Sequence, residues 1–171
     1  PPRELGLPHR WALRIEGGIA GGLGPVVMPD PRGRVTLTVE RHLGRRVLLG
    51  LAASAQLGIQ DGETLAGGGG RVRLAWLAGD ARVGVGPAAL VGVEGLGLFG
   101  ALDESGGRFV ESLVQLRLGG GVTVRVALGP RAALTVDGGL TVLPLHDEVR
   151  RRSDGALVFD TGWVDGGVTA G

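Results

Sequence analysis

The sequence predicts an all-β fold, an up-and-down antiparallel transmembrane β-barrel of about eight strands, and three features of its 171 residues carry that prediction. Apolar and polar residues alternate over long runs, the period of strands with two unlike faces. The connectors between runs alternate between short and longer. The polar row consists of small residues with isolated charges, not of the Lys/Glu/Thr surface a soluble sheet shows to water. No helical period survives anywhere in the chain.

The first run is WALRIEGGIAGGLG, residues 11–24, with Trp11, Leu13, Ile15, Ile19 and Leu23 on one face and Arg14, Glu16, Ala20 and Gly22 on the other. Residues 1–10 read as an N-terminal extension and 11–171 as the barrel domain. After PVVMPDPRG at 25–33 comes the hairpin VTLTVERHLGRRVLLGLAASAQLGIQ, residues 35–60. Its apolar row runs through Val35, Leu37 and Val39 to Leu49, Leu51, Leu57 and Ile59. Its polar row runs through Thr36, Thr38 and Glu40 to Gly50, Ser54 and Gln56. DGETLAGGGG, residues 61–70, reads as a long connector, and RVRLAWLA opposes Val72, Leu74 and Trp76 to Arg71, Arg73 and Ala75.

Past the short GDA turn, the run from Val83 sets Val85, Val91 and Val93 against Gly84, Gly92 and Glu94. Pro87 inside it lacks a ladder donor, so a bulge is expected there. ALDESGGR leads to the run 110–126, where Val114, Leu116, Val122 and Val124 oppose Glu111, Gln115, Arg117 and Arg125. Leu134, Val136, Leu140 and Val142 then oppose Thr135, Asp137 and Thr141. Residues 144–162 form the longest connector, and WVDGGVTAG reads as a last strand cut short at Gly171.

Which row faces inward decides the class. The run 47–60 spans roughly 45 Å at about 3.3 Å per residue, enough to cross an apolar bilayer core even when tilted by about 40°. Gly, Ala, Ser and Gln leave room in a narrow lumen, where scattered charges of both signs can pair. Trp11 and Trp76 fall at the short-turn end, and Phe99, Phe109 and Trp163 at the other, as interfacial girdles do. The apolar row is Val, Leu and Ile with almost no large ring, a row that lipid accepts without jigsaw packing. The apolar row is therefore expected to face lipid. The rival reading is a soluble barrel or sandwich that binds an apolar ligand in its interior.

In these runs and connectors the chain resembles the small eight-stranded outer-membrane β-barrels of Gram-negative bacteria, the OmpA-membrane-domain and OmpX-like group. The resemblance covers residues 11–171 and is one of pattern. It implies residence in the bacterial outer membrane, with membrane lipid, lipopolysaccharide and the outer-membrane assembly machinery as partners. The role it implies is structural, surface-interacting or narrowly transporting. Such barrels finish on an aromatic residue, and this sequence ends at Gly171.

Composition narrows the chemistry. Eighteen basic against seventeen acidic residues leave a net charge of +1, no field for nucleic acid. Every basic residue is Arg, and zero cysteines exclude disulfides and thiolate metal sites. GLGLFG at 95–100 fits G-x-G-x-x-G but is followed by a turn, not the helix a dinucleotide site needs. His146, Asp147 and Glu148 read as a solvated loop, and His146 with Ser105 or Ser153 has no spacing that supports a lipid A-modifying enzyme. No cofactor, metal or catalytic residue is expected. The expected site is a lumen charge network of Arg14, Glu16, Glu40, Arg73, Glu94, Glu111, Arg117, Arg125 and Asp137, with the barrel plugged by it. Arg150, Arg151 and Arg152 are candidates for contact with lipopolysaccharide phosphates.

Overall fold

The computed structural model describes residues 11–23, 30–43, 46–60, 63–80, 82–102, 108–129, 132–144, 148–150, 157–160, 162 and 164–171. At 60, 98, 100–102, 108–112, 148–150 and 157–160 it describes the backbone alone. The strands are β1 (Trp11–Gly22), β2 (Arg32–His42), β3 (Val47–Gln60), β4 (Glu63–Trp76), the two-residue β5 (Ala78–Gly79), β6 (Val83–Leu102), β7 (Arg108–Ala127), β8 (Ala133–Val142), β9 (Glu148–Arg150), β10 (Leu157–Asp160) and β11 (Val164–Ala170). Among the described residues there is no helix.

Eight of these strands close a ring, β1-β2-β3-β4-β6-β7-β8-β11, in which β11 pairs with β1 and every neighbour is antiparallel. β9 and β10 form a separate hairpin in the chain between β8 and β11. Closure removes sheet edges, the condition a sheet must meet to sit in hydrocarbon.

The alternation sends the apolar row outward. Ile15, Leu51, Ile59 and Val114 are 66%, 63%, 69% and 71% exposed, while their chain neighbours Arg14, Glu16, Ala52 and Gln115 are buried. A ring exposing this much Val, Leu and Ile, with arginines and glutamates inside, is stable only with lipid around it. The soluble alternative loses its basis, because the interior is charged and offers no apolar chamber. At the short-turn end Trp11 and Trp76 face outward beneath cations, with the Arg41 guanidinium 5.3 Å from the Trp11 ring and that of Arg46 5.8 Å from the Trp76 ring. Phe99 faces outward near the opposite end.

Two expectations are corrected. Residues 63–70 are strand, not connector: β4 starts at Glu63 and its glycines 67–70 pair with β3 on one side and β6 on the other. The connector between β3 and β4 is therefore short, although it lies at the longer-loop end. Glycine hid the strand because it contributes no apolar row for alternation to show. Pro87 carries no bulge. β6 runs through it in register with β7, and the ladder to β4 lapses there, between the pairs Ala75↔Ala88 and Ala78↔Val85. The missing N–H falls in that gap. The bulge of β6 lies instead between Phe99 and Ala101. GLGLFG is part of β6, so no helix follows it.

Glycine also answers a steric demand on the inner wall. A Cβ at Gly121 would lie 2.2 Å from the carbonyl oxygen of Gly138, and one at Gly139 would lie 2.6 Å from that of Gly120. β7 and β8 approach closely enough there that only glycine fits.

The turn between β5 and β6 is built from one aspartate. Asp80 Oδ1 accepts the N–H of Arg82 at 2.7 Å and that of Val83 at 2.9 Å, and the Asp80 N–H donates to the Val83 carbonyl at 3.0 Å. Gly79 precedes it at φ 151°, where a Cβ would strike the Val83 carbonyl. The Val83 and Arg82 N–H groups hold the exposed Asp80 carboxyl below the usual carboxylate range. A depressed folded pKa means the turn's contribution is complete above the unfolded pKa and is lost as pH falls through the folded one. The Val83 amide resonance is expected to titrate below the ordinary aspartate range in NMR, and Asp80→Asn, which keeps the acceptor, to abolish that titration. An amide shift unchanged by acid would show that the bond does not form.

Candidate functional site

The charges of the lumen fall into two groups. Nearer the short turns, Glu40 of β2 is the shared acceptor: Arg73 Nη1 approaches its Oε1 at 3.3 Å, Arg125 Nη1 its Oε2 at 3.1 Å and Arg14 Nη2 its Oε1 at 3.4 Å. Arg73 also reaches Asp137 Oδ1 at 2.5 Å and donates to Thr123, whose hydroxyl donates to the same Asp137 oxygen at 2.5 Å. Arg14 contacts Asp137 Oδ2 at 2.9 Å and Glu16 Oε2 at 3.2 Å. None of the Arg14 nitrogens aligns as a hydrogen bond, so it acts as a point charge among three carboxylates. Glu16 accepts from Thr169 at 3.0 Å and from Thr38 at 3.4 Å.

Toward the longer loops the chain of pairs runs from strand to strand. Arg32 contacts Asp30 Oδ1 through Nε at 3.1 Å and pairs with Asp165 through Nη2. Arg117 bridges Asp165 and Glu94. Arg34 Nη2 donates to Gln56 Oε1 at 2.9 Å and lies 3.4 Å from Glu94 Oε1. Asp30 Oδ2 accepts the Gly22 N–H at 2.6 Å, anchoring the start of β2 to the end of β1.

Of the charges singled out by alternation, Arg14, Glu16, Glu40, Arg73, Glu94, Arg117, Arg125 and Asp137 all turn inward and make these contacts. The Glu111 side chain lies outside those described, as does that of Arg150; Arg151 and Arg152 lie outside the described residues, as do His146, Ser105 and Ser153. Alternation missed Arg32, Arg34 and Asp165, and the expected network left out Arg71, which alternation had set on the polar row. Arg34 and Arg32 continue the period of Thr36 and Thr38, two and four residues before Thr36, where Arg32 fell in the segment 25–33 read as a connector and Arg34 just outside the run that starts at 35. Asp165 stands in a strand too short in sequence to show its faces. Arg71 shared the inward row with Arg73, but nothing in the sequence marked it as a separate problem.

Apolar side chains also turn inward. Leu48, Ala75 and Leu77 form a buried cluster at the short-turn end with Ala88 packed against it, and Leu65 and Leu96 are buried nearer the other end. Among the described residues no group of His, Asp and Glu is placed to hold a metal ion.

A closed eight-stranded antiparallel ring with an apolar exterior and a paired-ion interior is a transmembrane β-barrel, and this architecture is that of the small outer-membrane barrels. Two solved structures share the fold. One is Neisserial surface protein A (NspA), with a TM-score of 0.61, 9% identity, and 95% of this chain covering 94% of that one. The other is the N-terminal β-barrel domain of Pseudomonas aeruginosa OprF, with a TM-score of 0.50, 12% identity, and 94% of this chain covering 96% of that one. No protein-family model matches the sequence, and comparison with curated protein sequences finds no significant relative.

Proposed function

We propose that this chain is a non-conducting barrel of the bacterial outer membrane with a structural and surface-presenting role. The supporting observation is the ion-pair network, which links β1, β2, β4, β6, β7, β8 and β11 across the lumen. An eight-stranded interior is just wide enough for side chains to fill it. Leu48 and Leu77 are buried together at the short-turn end beneath the charges, which supports the same reading. The belt of Val, Leu and Ile anchors the barrel, and the network holds its wall together. The role is one of anchoring and display, without a catalytic group.

Membrane lipid contacts the belt, and the outer-membrane assembly machinery inserts the barrel. The connector between β8 and β11 carries Arg150, Arg151 and Arg152, whose guanidinium forks suit lipopolysaccharide phosphates. Reconstituted into planar lipid bilayers, the purified barrel is expected to insert and to show no steady conductance. A stable open pore would overturn the plugged reading, and recovery as a detergent-free soluble monomer would overturn the membrane reading.

A further inference from the structure

The ion pairs do not fill the interior. Between the two charged groups lies a cavity of about 70 Å³, counted as the space open to the centres of water molecules, and a smaller void of about 20 Å³ shares its lining. Small residues make one wall: Ala20, Ala88, Gly121, Gly139 and Gly167. The facing side presents Arg34, Arg71 and Arg73, with Arg117 and Thr141 closing it; Asp137 and Asp165 also line it, each already held by arginines, and Leu90 projects between the two voids. Ser54 lines the smaller void beside Arg34, Arg71 and Glu94.

The four arginines are unequally served. Arg73 and Arg117 each hold two carboxylates. Arg34 has Gln56 and a 3.4 Å contact with Glu94, and its Nε is buried without an acceptor. Arg71 has one carboxylate in range, Glu16 at 4.0 Å, and its Nε is also buried without an acceptor. Within the ion pairs of the described residues, seven arginines (14, 32, 34, 71, 73, 117, 125) share five carboxylates (16, 40, 94, 137, 165), with Asp30 as a sixth where β2 begins; Glu63 of β4 stands on the same inward row but pairs with none of them. A buried guanidinium with open donors beside an open cavity calls for an anion.

We propose that this cavity binds one small inorganic oxyanion, of the phosphate or sulfate class, on Arg34 and Arg71. Size and donor geometry favour an oxyanion over a halide. The larger void has room for several waters, or for one tetrahedral oxyanion of five heavy atoms. Guanidinium donors in a fixed fork match oxyanion oxygens, and the Ser54 and Thr141 hydroxyls can donate to the remainder. Gly121, Gly139 and Gly167 leave space on their side of the lumen, bounded by the small side chains of Ala20 and Ala88 and by Leu90. The site stands whether or not the barrel conducts and whichever membrane holds it.

The test is calorimetric titration of the whole chain, folded in zwitterionic detergent micelles, with sodium phosphate, sodium sulfate and sodium bromide at matched ionic strength. Phosphate or sulfate is expected to saturate one site at least tenfold more tightly than bromide. Arg71→Gln should weaken that binding at least tenfold. Ser54→Asp, which places a carboxylate beside the same two guanidiniums, should fold without the oxyanion and lose its binding; it serves as the test where Arg71→Gln does not fold. No saturable heat in the wild type, equal affinity for bromide, or undiminished phosphate binding by Ser54→Asp would each overturn the proposal.

Discussion

Leu51→Arg is expected to destabilise the folded barrel in lipid vesicles by about 2–4 kcal/mol, the cost of an arginine facing the hydrocarbon core. Leu51 is 63% exposed on the outward face of β3, between inward Gly50 and Ala52. Nothing on that face pairs with a cation; its cross-strand partners are Val39 and Val72. Three residues along the same strand, Ser54→Asp is expected to be neutral or stabilising, because the new carboxylate faces Arg34 and Arg71. Gln56 is a poorer inward control. Its Oε1 accepts from Arg34, so an arginine there would replace an acceptor with a second cation. Urea titration of the two variants in vesicles is the measurement. Equal destabilisation would mean that the faces are assigned wrongly.

Arg73→Leu is expected to cost about 3–5 kcal/mol, since it leaves Asp137 and Glu40 buried with one cation fewer. Asp137→Leu should cost less, although Arg73 and Arg14 both lose a partner. The double variant should cost less than the sum of the two, by roughly 0.5–3 kcal/mol, as expected for groups in direct contact. Additive costs in that cycle would show that the pair is not coupled, and the lumen network would then reduce to independent solvated charges. Arg73 is nearly fully buried, whereas the Asp137 side chain retains 20% exposure. The arginine variant should therefore be the more damaging of the two.

How far the sequence could be read depended on what each residue shows to a period. β3 was legible because Leu49, Leu51, Leu57 and Ile59 mark one face continuously. β4 was half legible: Val72, Leu74 and Trp76 declare their face, whereas Gly67 to Gly70 declare none and were read as loop. Arg34 belongs to the same inward row as Thr36 and Thr38, and extending that period by two residues finds it. The role of Arg71 had no such signal. It differs from Arg73 only in which carboxylates stand opposite, and those come from strands distant in the chain.

Alternation with period two, read from the residues in order, determined by itself that the fold is all-β, which rows share a face, and that the charges stand opposite the aliphatics. Each of these is a local property of a pleated chain. Partner choice was decided only by closure of the ring. Thr169 meets Glu16 across 153 residues, and Arg32 meets Asp165 across 133, because β11 returns to β1 in the register Gly18↔Thr169 and Gly22↔Asp165. A contact across the lumen depends on strand number, tilt and stagger together. No segment carries that information alone, so the arginine left facing a cavity appears only once the ring is shut.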